Sequence, residues 1–452
     1  MKKITLLLLF TLSFFQVSNA QENDLESEFQ SAFDEKNILN ANIGLTSIDG
    51  NNYFGMRIQP EFAFGKFGLG LDIPLLFNLE TGSIRSEEFK HGAGILRMIR
   101  FLRYGNKNTD PIYVKVGDLT GERLGFGSLV GNYTNATSFE RRKVGVSASI
   151  LIKNMIGLEL IYSDLSFDGS MKMLGIRPFV KPFGNSDIPI IKTMEIGASF
   201  VTDNDDYQEE GASEITTKYT SDGIKASSFD LGVSLVKTKM LNLRLDAQYS
   251  MLSKNNLLAA DNPGANYDNG TGFAVGIETD FRFIANTIFM NARIERQWYG
   301  DNYIPQFFNF AYEINKDARL RELLTATSSQ GIYGTLTAEI LKVVKIGGSL
   351  LIPDDIDSNN PDSRKAILGL DLETKQIGKF KARGTYVKAG LNDLGDAFSL
   401  DERSLANLIV TYKIGRFMEA GVDYQWTFAA DENGNFNAVN QVRPYFGVSF
   451  DF

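Results

Sequence analysis

From Asn40 onward the chain alternates apolar with polar or small residues, segment after segment, at a period of two. That period places successive side chains on opposite faces of an extended strand. Leu241, Leu243, Leu245, Ala247, Tyr249 and Met251 share one face, and Asn242, Arg244, Asp246, Gln248 and Ser250 the other. Met418, Ala420, Val422, Tyr424, Trp426 and Phe428 oppose Glu419, Gly421, Asp423, Gln425 and Thr427 in the same way. Ala366, Leu368, Leu370 and Leu372 oppose Lys365, Gly369, Asp371 and Glu373, and the texture recurs over 67–77, 144–152, 229–235, 273–283 and 288–298.

A soluble sandwich alternates too, but three features favour one closed barrel that crosses a membrane. The polar phase carries full charges of both signs in mid-strand, the strands run to about 9 to 13 residues, and short connections alternate with long ones. Short turns fall at 65–66, 119–122, 153–155, 183–188, 239–241, 284–287, 341–343, 377–379 and Arg416; long polar connections include 203–222, 253–270, 300–330, 353–363 and 390–403. The alternation predicts an all-β fold, a transmembrane antiparallel up-and-down barrel of about twenty strands with short helical segments in its loops. The weakest pair is 112–118 with the Gly-rich 124–130, and without it about eighteen strands remain.

The first twenty residues change the picture by adding an address. Lys2 and Lys3 precede an apolar run from Ile4 to Phe15 and a small-residue end at Ser18, Asn19 and Ala20, the pattern of a cleaved secretory signal. The organisation expected is signal peptide 1–20, a short periplasmic segment 21–39 and a barrel 40–452. The segment 21–39 is acidic, with Leu25, Phe29 and Phe33 at helical spacing, and is too small to fill a barrel. With no cysteine in the chain, a lipoprotein signal, disulfides and thiolate metal sites are excluded. No run of about 18 or more uninterrupted apolar residues follows Ala20, so a helical inner-membrane anchor is excluded as well. Net charge −9 and a pI near 5.0 argue against nucleic acid as a partner.

The chain ends on Val442, Pro444, Phe446, Val448, Phe450 and Phe452 in alternation with Arg443, Tyr445, Gly447, Ser449 and Asp451. Apolar residues at every second position before a final aromatic resemble the C-terminal signal of bacterial outer-membrane β-barrel proteins. Taken with the texture from Asn40 to Phe452, the chain resembles that porin-like class. The resemblance implies an outer-membrane location, contact with lipid and lipopolysaccharide, and Phe446, Val448, Phe450 and Phe452 as the part read by the barrel-assembly machinery.

Residues 86–104 break the strand pattern. Ile95, Leu96, Met98, Ile99 and Leu102 fall on one helical face and Lys90, Arg97, Arg100 and Arg103 on the other, with Glu87 and Glu88 in the first turn. Acids early and bases late suit a helix dipole. Two readings stand: a loop folded into the barrel whose arginines, with Glu87 and Glu88, set a constriction, or an amphipathic helix over the mouth or among the lipopolysaccharide headgroups. Residues 306–325 form a second non-strand segment, with Phe307, Phe308 and Phe310 before a helical 316–324; it is expected to pack a long external loop, with an aromatic gate as the alternative.

The lumen face carries mixed charge, including Arg244, Asp246, Arg293, Glu295, Lys381, Arg383, Glu419 and Asp423, which predicts weak ion selectivity. An arginine at Gln248 is expected to cost little and one at Leu243 a good deal. Catalysis has little support, because His91 is the only histidine and no nucleophile pattern flanks it. The carboxylates at Asp371 and Glu373 read as wall ion pairs. The acidic runs Asp203, Asp205, Asp206 and Asp354, Asp355, Asp357 lack the order of a calcium loop and read as solvated. No enzyme activity and no cofactor are therefore expected. The function expected is a channel for passive or weakly selective passage of small solutes, with a surface structural, adhesion or complex-forming barrel as the alternative.

Overall fold

In the computed structural model the described residues run from 38 to 451. They leave out 49–50, 86–94, 97, 108–109, 137–142, 166–171, 204–223, 254–268, 284–286, scattered positions between 311 and 325, 357–365, 392–394, 401–403 and 431–435. The signal peptide, the segment before the barrel, His91, Glu87, Glu88, Arg97 and Phe452 lie outside them.

The strands are β1 (Ile38–Ile48), β2 (Asn51–Phe64), β3 (Phe67–Leu71), β4 (Ile73–Asn78), β5 (Ile99–Tyr104), β6 (Ile112–Gly117) and β7 (Gly145–Ile152). There follow β8 (Ile156–Tyr162), β9 (Leu174–Val180), β10 (Glu195–Asp203), β11 (Ile224–Lys237), β12 (Leu241–Ser253), β13 (Gly270–Phe283) and β14 (Ile288–Tyr299). The last are β15 (Ser329–Ile340), β16 (Val344–Pro353), β17 (Ala366–Thr374), β18 (Phe380–Leu391), β19 (Ser404–Lys413), β20 (Met418–Ala430) and β21 (Phe436–Asp451). With β3 and β4 taken together, since β2 pairs with both and β3 with β5, each pairs antiparallel with the next, and β1 pairs with β21, so the sheet closes on itself. β3 and β4 are halves of one stave: Glu61 opposite Gly70 and Ile58 opposite Ile73 keep a single register across Asp72. The result is a closed antiparallel barrel of 20 staves, the fold of bacterial outer-membrane barrels.

The alternation sorts the faces. Ile43, Phe54, Leu102, Ile196, Leu231, Ile277, Ile294, Leu336, Ile346, Leu408 and Val422 are exposed on the outside, an apolar belt that only lipid can cover without cost. Aromatic pairs mark its edge at the turn end: Phe67 with Tyr104 (4.9 Å), Phe380 with Tyr412 (5.0 Å) and Phe417 with Phe450 (4.7 Å). At the loop end Tyr249, Phe273 and Trp298 stand side by side on β12, β13 and β14. A shallow hollow of about 490 Å³ beside these three rings belongs to that girdle.

The expected strand number holds through two exchanges. The stretch 124–130 is not a strand and 119–122 is not a turn between strands, because both run through the interior. In compensation, residues 99–104 of the expected helix form β5, paired with β3 and β6. The physical reason lies in Leu102 and Tyr104, which face outward at the belt beside Leu69 and Phe67, while Arg103 faces Lys115 inside. Over six residues an apolar and basic alternation satisfies a strand as well as a helix.

Candidate functional site in the barrel lumen

Two connections turn inward and fill one side of the lumen. The first covers 118–135 and the second the described residues of 303–323, and a parallel bridge joins them between Val130 and Phe308. Leu119, Leu124, Leu129, Val130 and Tyr133 of the first pack with Tyr303, Ile304, Phe307, Phe308, Tyr312 and Leu323 of the second in one buried apolar cluster. The cluster also takes in Ile161, Val201, Ile224, Ala226 and Leu252 from the barrel wall. The aromatic segment expected to pack an external loop is thus the core of an internal plug.

Lumen-facing glycines make room for it. A Cβ on Gly232 would stand 2.3 Å from the Phe126 ring, and one on Gly272 2.3 Å from the Tyr303 ring.

Polar ties fix the plug to β7 through β15. The backbone amide of Gly125 donates to Glu159 (2.8 Å) and that of Ser128 to Gln248 (2.9 Å), while Arg123 pairs with Glu278 (3.1 Å). Beneath these lie two saturated arginines. Arg177 donates to both oxygens of Asp230 (2.9 and 2.5 Å), to Glu195 (2.7 Å) and to Glu159 (3.3 Å), with Phe126 and Phe179 over its plane. Arg293 holds Asp246 (2.8 and 2.7 Å), Glu278 (3.3 Å) and Glu295 (2.6 Å). A buried charge is tolerable only when paired and hydrogen-bonded, and both arginines meet that condition.

A third cluster anchors the second segment near the loop end. Tyr312 (2.6 Å) and Lys316 (2.8 Å) donate to Asp203, and Tyr133 and Lys143 donate to Glu313 (both 2.6 Å). Burial, with Asp203 beside Tyr312 and Glu313 beside Tyr133, lifts both phenols well above the ordinary tyrosine value, so they remain donors. Burial alone would raise the Glu313 carboxyl, but Lys316 and Lys143 outweigh it and hold it below the ordinary value of 4.5. At the other end of the plug Lys107 and Lys115 do the same for Glu122, which also accepts from Ser147.

The opposite wall is different. On β17 and β18 the lumen-facing Asp371, Glu373, Arg383 and Thr385 are exposed, whereas Asp230, Asp246, Glu278, Arg293 and Glu295 on the plugged side are buried. Asp371, Glu373 and Arg383 make no hydrogen bond or ion pair among the described residues. Side chains that point into a closed barrel, remain exposed and make no hydrogen bond or ion pair border water, so among the described residues the plug is eccentric and leaves space along β16 to β21. Where the second segment nears that wall, a cleft of about 70 Å³ runs between Gln306, Asn309, Arg319 and Glu322 on the plug and Tyr333, Ser349 and Leu351 on the wall.

The charges picked out by alternation are placed as follows. Asp246, Arg293 and Glu295 lie together under the plug, with Arg244 over the Phe126 ring and 4.0 Å from Glu278. Lys381 pairs with Glu419 (2.9 Å) and Asn407 donates to Asp423 (3.0 Å) on the open side. The wall ion pairs expected for Asp371 and Glu373 are absent among the described residues, since Lys381 is taken by Glu419. Of the basic ladder expected over 86–104, Arg100 pairs with Glu61 from the bulged strand β5 and Arg103 lies over Gly68; neither belongs to a helical constriction. Phe446, Val448 and Phe450 alternate along the outer face of β21, with Phe450 stacked on Phe417. Asp203 is an anchor of the plug rather than a solvated ligand, Asp354 pairs with Arg296 (2.5 Å), and no metal-binding cluster occurs among the described residues.

No protein-family model and no curated protein matches the sequence. Solved structures similar in chain trace include Wzi of Escherichia coli, an outer-membrane protein involved in group 1 capsule assembly and described as a carbohydrate-binding β-barrel. It shares 12% identity over 96% of this chain and 90% of its own, with a TM-score of 0.37. OmpT of Vibrio cholerae shares 8% over 92% and 96%, with a TM-score of 0.31. OpdQ of Pseudomonas aeruginosa shares 8% over 92% and 95%, also with a TM-score of 0.31.

Proposed function

We propose that the protein is a solute channel of the outer membrane, narrowed but not closed by a one-sided internal plug. The observation that carries this reading is the contrast between walls: Asp371, Glu373 and Arg383 are exposed inside the barrel with no hydrogen bond or ion pair among the described residues, while the charges on the facing wall are buried in saturated networks. Charged side chains held by no hydrogen bond or ion pair are stable in a membrane-spanning interior only if water reaches them. A barrel of about 16 to 18 strands holds an aqueous channel and one of about 22 is usually plugged; at 20 staves a partial plug leaves a narrowed passage. The export signal, the lipopolysaccharide surroundings, the assembly machinery and the absence of catalysis remain part of the same reading.

Planar-bilayer recording of the refolded protein tests it. The channel reading expects discrete conductance steps smaller than those of an empty barrel of this size. Silence in correctly folded protein would replace it with a surface structural or binding barrel.

A further inference from the structure

The open wall carries a pattern that single strands do not reveal. Lys345 on β16 stands opposite Glu339 on β15 and Glu373 on β17, and Glu373 in turn stands opposite Arg383 on β18. Beyond Ile409 on β19, Asp423 on β20 stands opposite Arg443 on β21. The row therefore alternates in sign over β15 to β18 and again over β20 and β21, with the neutral Ile409 of β19 between the two runs and three acids and three bases in all. Neighbouring strands lie about 4.8 Å apart, so within each run opposite charges stand at nearest-neighbour spacing.

Barrel strands are staggered, so a row of direct cross-strand partners climbs relative to the barrel axis. Glu339 is the residue before the turn-end terminus of β15, whereas Arg443 is in the middle of β21. The row is a stripe that rises from the turn end along the unplugged side. Its central members, Glu373 and Arg383, are exposed and make no hydrogen bond or ion pair among the described residues.

Such a stripe discriminates by charge arrangement rather than by net charge. A simple anion or cation attracted at one step is repelled at the next, so salt ions gain little from it. A small molecule carrying one ammonium and one carboxylate can meet two neighbouring steps at once and exchange them for the next two as it advances. We propose that the stripe from Lys345 to Arg443, which the fully buried Glu339 backs at its turn end, guides zwitterionic solutes of the amino-acid and dipeptide class through the passage. The proposal rests on the channel reading above.

The test is swelling of proteoliposomes in L-alanyl-L-alanine and in N-acetyl-L-alaninamide at pH 7, a zwitterion against a smaller neutral amide, with potassium chloride conductance recorded in parallel. Size alone favours the amide. The proposal expects the dipeptide to enter faster by about threefold, the scale of one solvent-exposed ion pair. In the double variant Glu373→Gln, Arg383→Gln the ratio of the two rates should fall to or below one. Because the ratio is read within each preparation, poor insertion lowers both rates together and does not imitate the effect. Salt conductance with no dipeptide preference in the parent overturns the inference and leaves the channel standing, as does a preference that survives in the double variant. Absence of both conductance and swelling in correctly folded protein would instead remove the channel reading itself.

Discussion

Single residues in this barrel differ in consequence according to what lies beyond their face of the wall. Ile294 is 57% exposed toward lipid in mid-belt, while Thr385 is exposed to the lumen. Ile294→Arg should therefore destabilise the barrel by about 2 to 4 kcal/mol and Thr385→Arg by well under about 1 kcal/mol; reversible unfolding in lipid vesicles measures both, and equal costs would reverse the assignment of faces. Arg293 is 3% exposed and holds three carboxylates, Asp246, Glu278 and Glu295. Arg293→Met removes the compensating charge and leaves those acids buried, a loss of about 3 to 5 kcal/mol in the same assay. Alternation alone made the inward or outward direction of these side chains legible, because a period of two is a property of neighbouring residues. It could not show that Gln248, nominally a tolerant lumen position, is 1% exposed and accepts from the Ser128 amide of a segment 120 residues away in sequence. An arginine there displaces the plug rather than joining a water-lined wall.

The element with most influence on passage is the plug, and its sequence disguises it. Residues 124–130 read as a weak strand because Leu124, Phe126 and Ser128 alternate with Gly125 and Gly127, yet those glycines have φ of +58° and +95° and turn the chain inward. The partners that retain it, Phe307, Phe308 and Tyr312, lie far along the chain, so no local period could bring them together. A legible trace does exist in the lumen phase of the wall, where Gly232 and Gly272 face plug rings. Gly272→Val places a branched side chain where Tyr303 now packs, an overpacking of about 1 to 3 kcal/mol, and should raise single-channel conductance while the barrel keeps its heat-modifiable migration. The pH dependence follows from Glu313. Its carboxyl is held below 4.5 in the folded state, so its anchoring by Lys143 and Lys316 is fully present above that value and is lost as the pH falls through the lower, folded one. Conductance should stay level while the pH remains above the ordinary carboxylate value and rise only as it falls through the lower, folded one, and Glu313→Gln should abolish that step; a step that survives the substitution places the acid trigger elsewhere.

At the scale of the whole molecule much of the fold was legible from texture: a closed antiparallel barrel and its face assignment follow from alternation and from connections that switch between short and long. The strand number survived because β5 appeared where a helix was expected and a plug segment where a strand was expected, two misreadings in opposite directions. The division of the lumen into a filled side and an open side was not legible, since it depends on which loops turn inward. That division is also the central claim, and the chain's lack of cysteine permits a direct test. Single cysteines at Thr385 on the open wall and at Ser228, 4% exposed under the plug, can be modified during planar-bilayer recording with a charged, membrane-impermeant methanethiosulfonate. The account predicts that Thr385→Cys reacts and its current falls in steps, while Ser228→Cys conducts as the parent does and does not respond. A current that falls at Ser228→Cys and is unaffected at Thr385→Cys, or that falls equally at both, would contradict it.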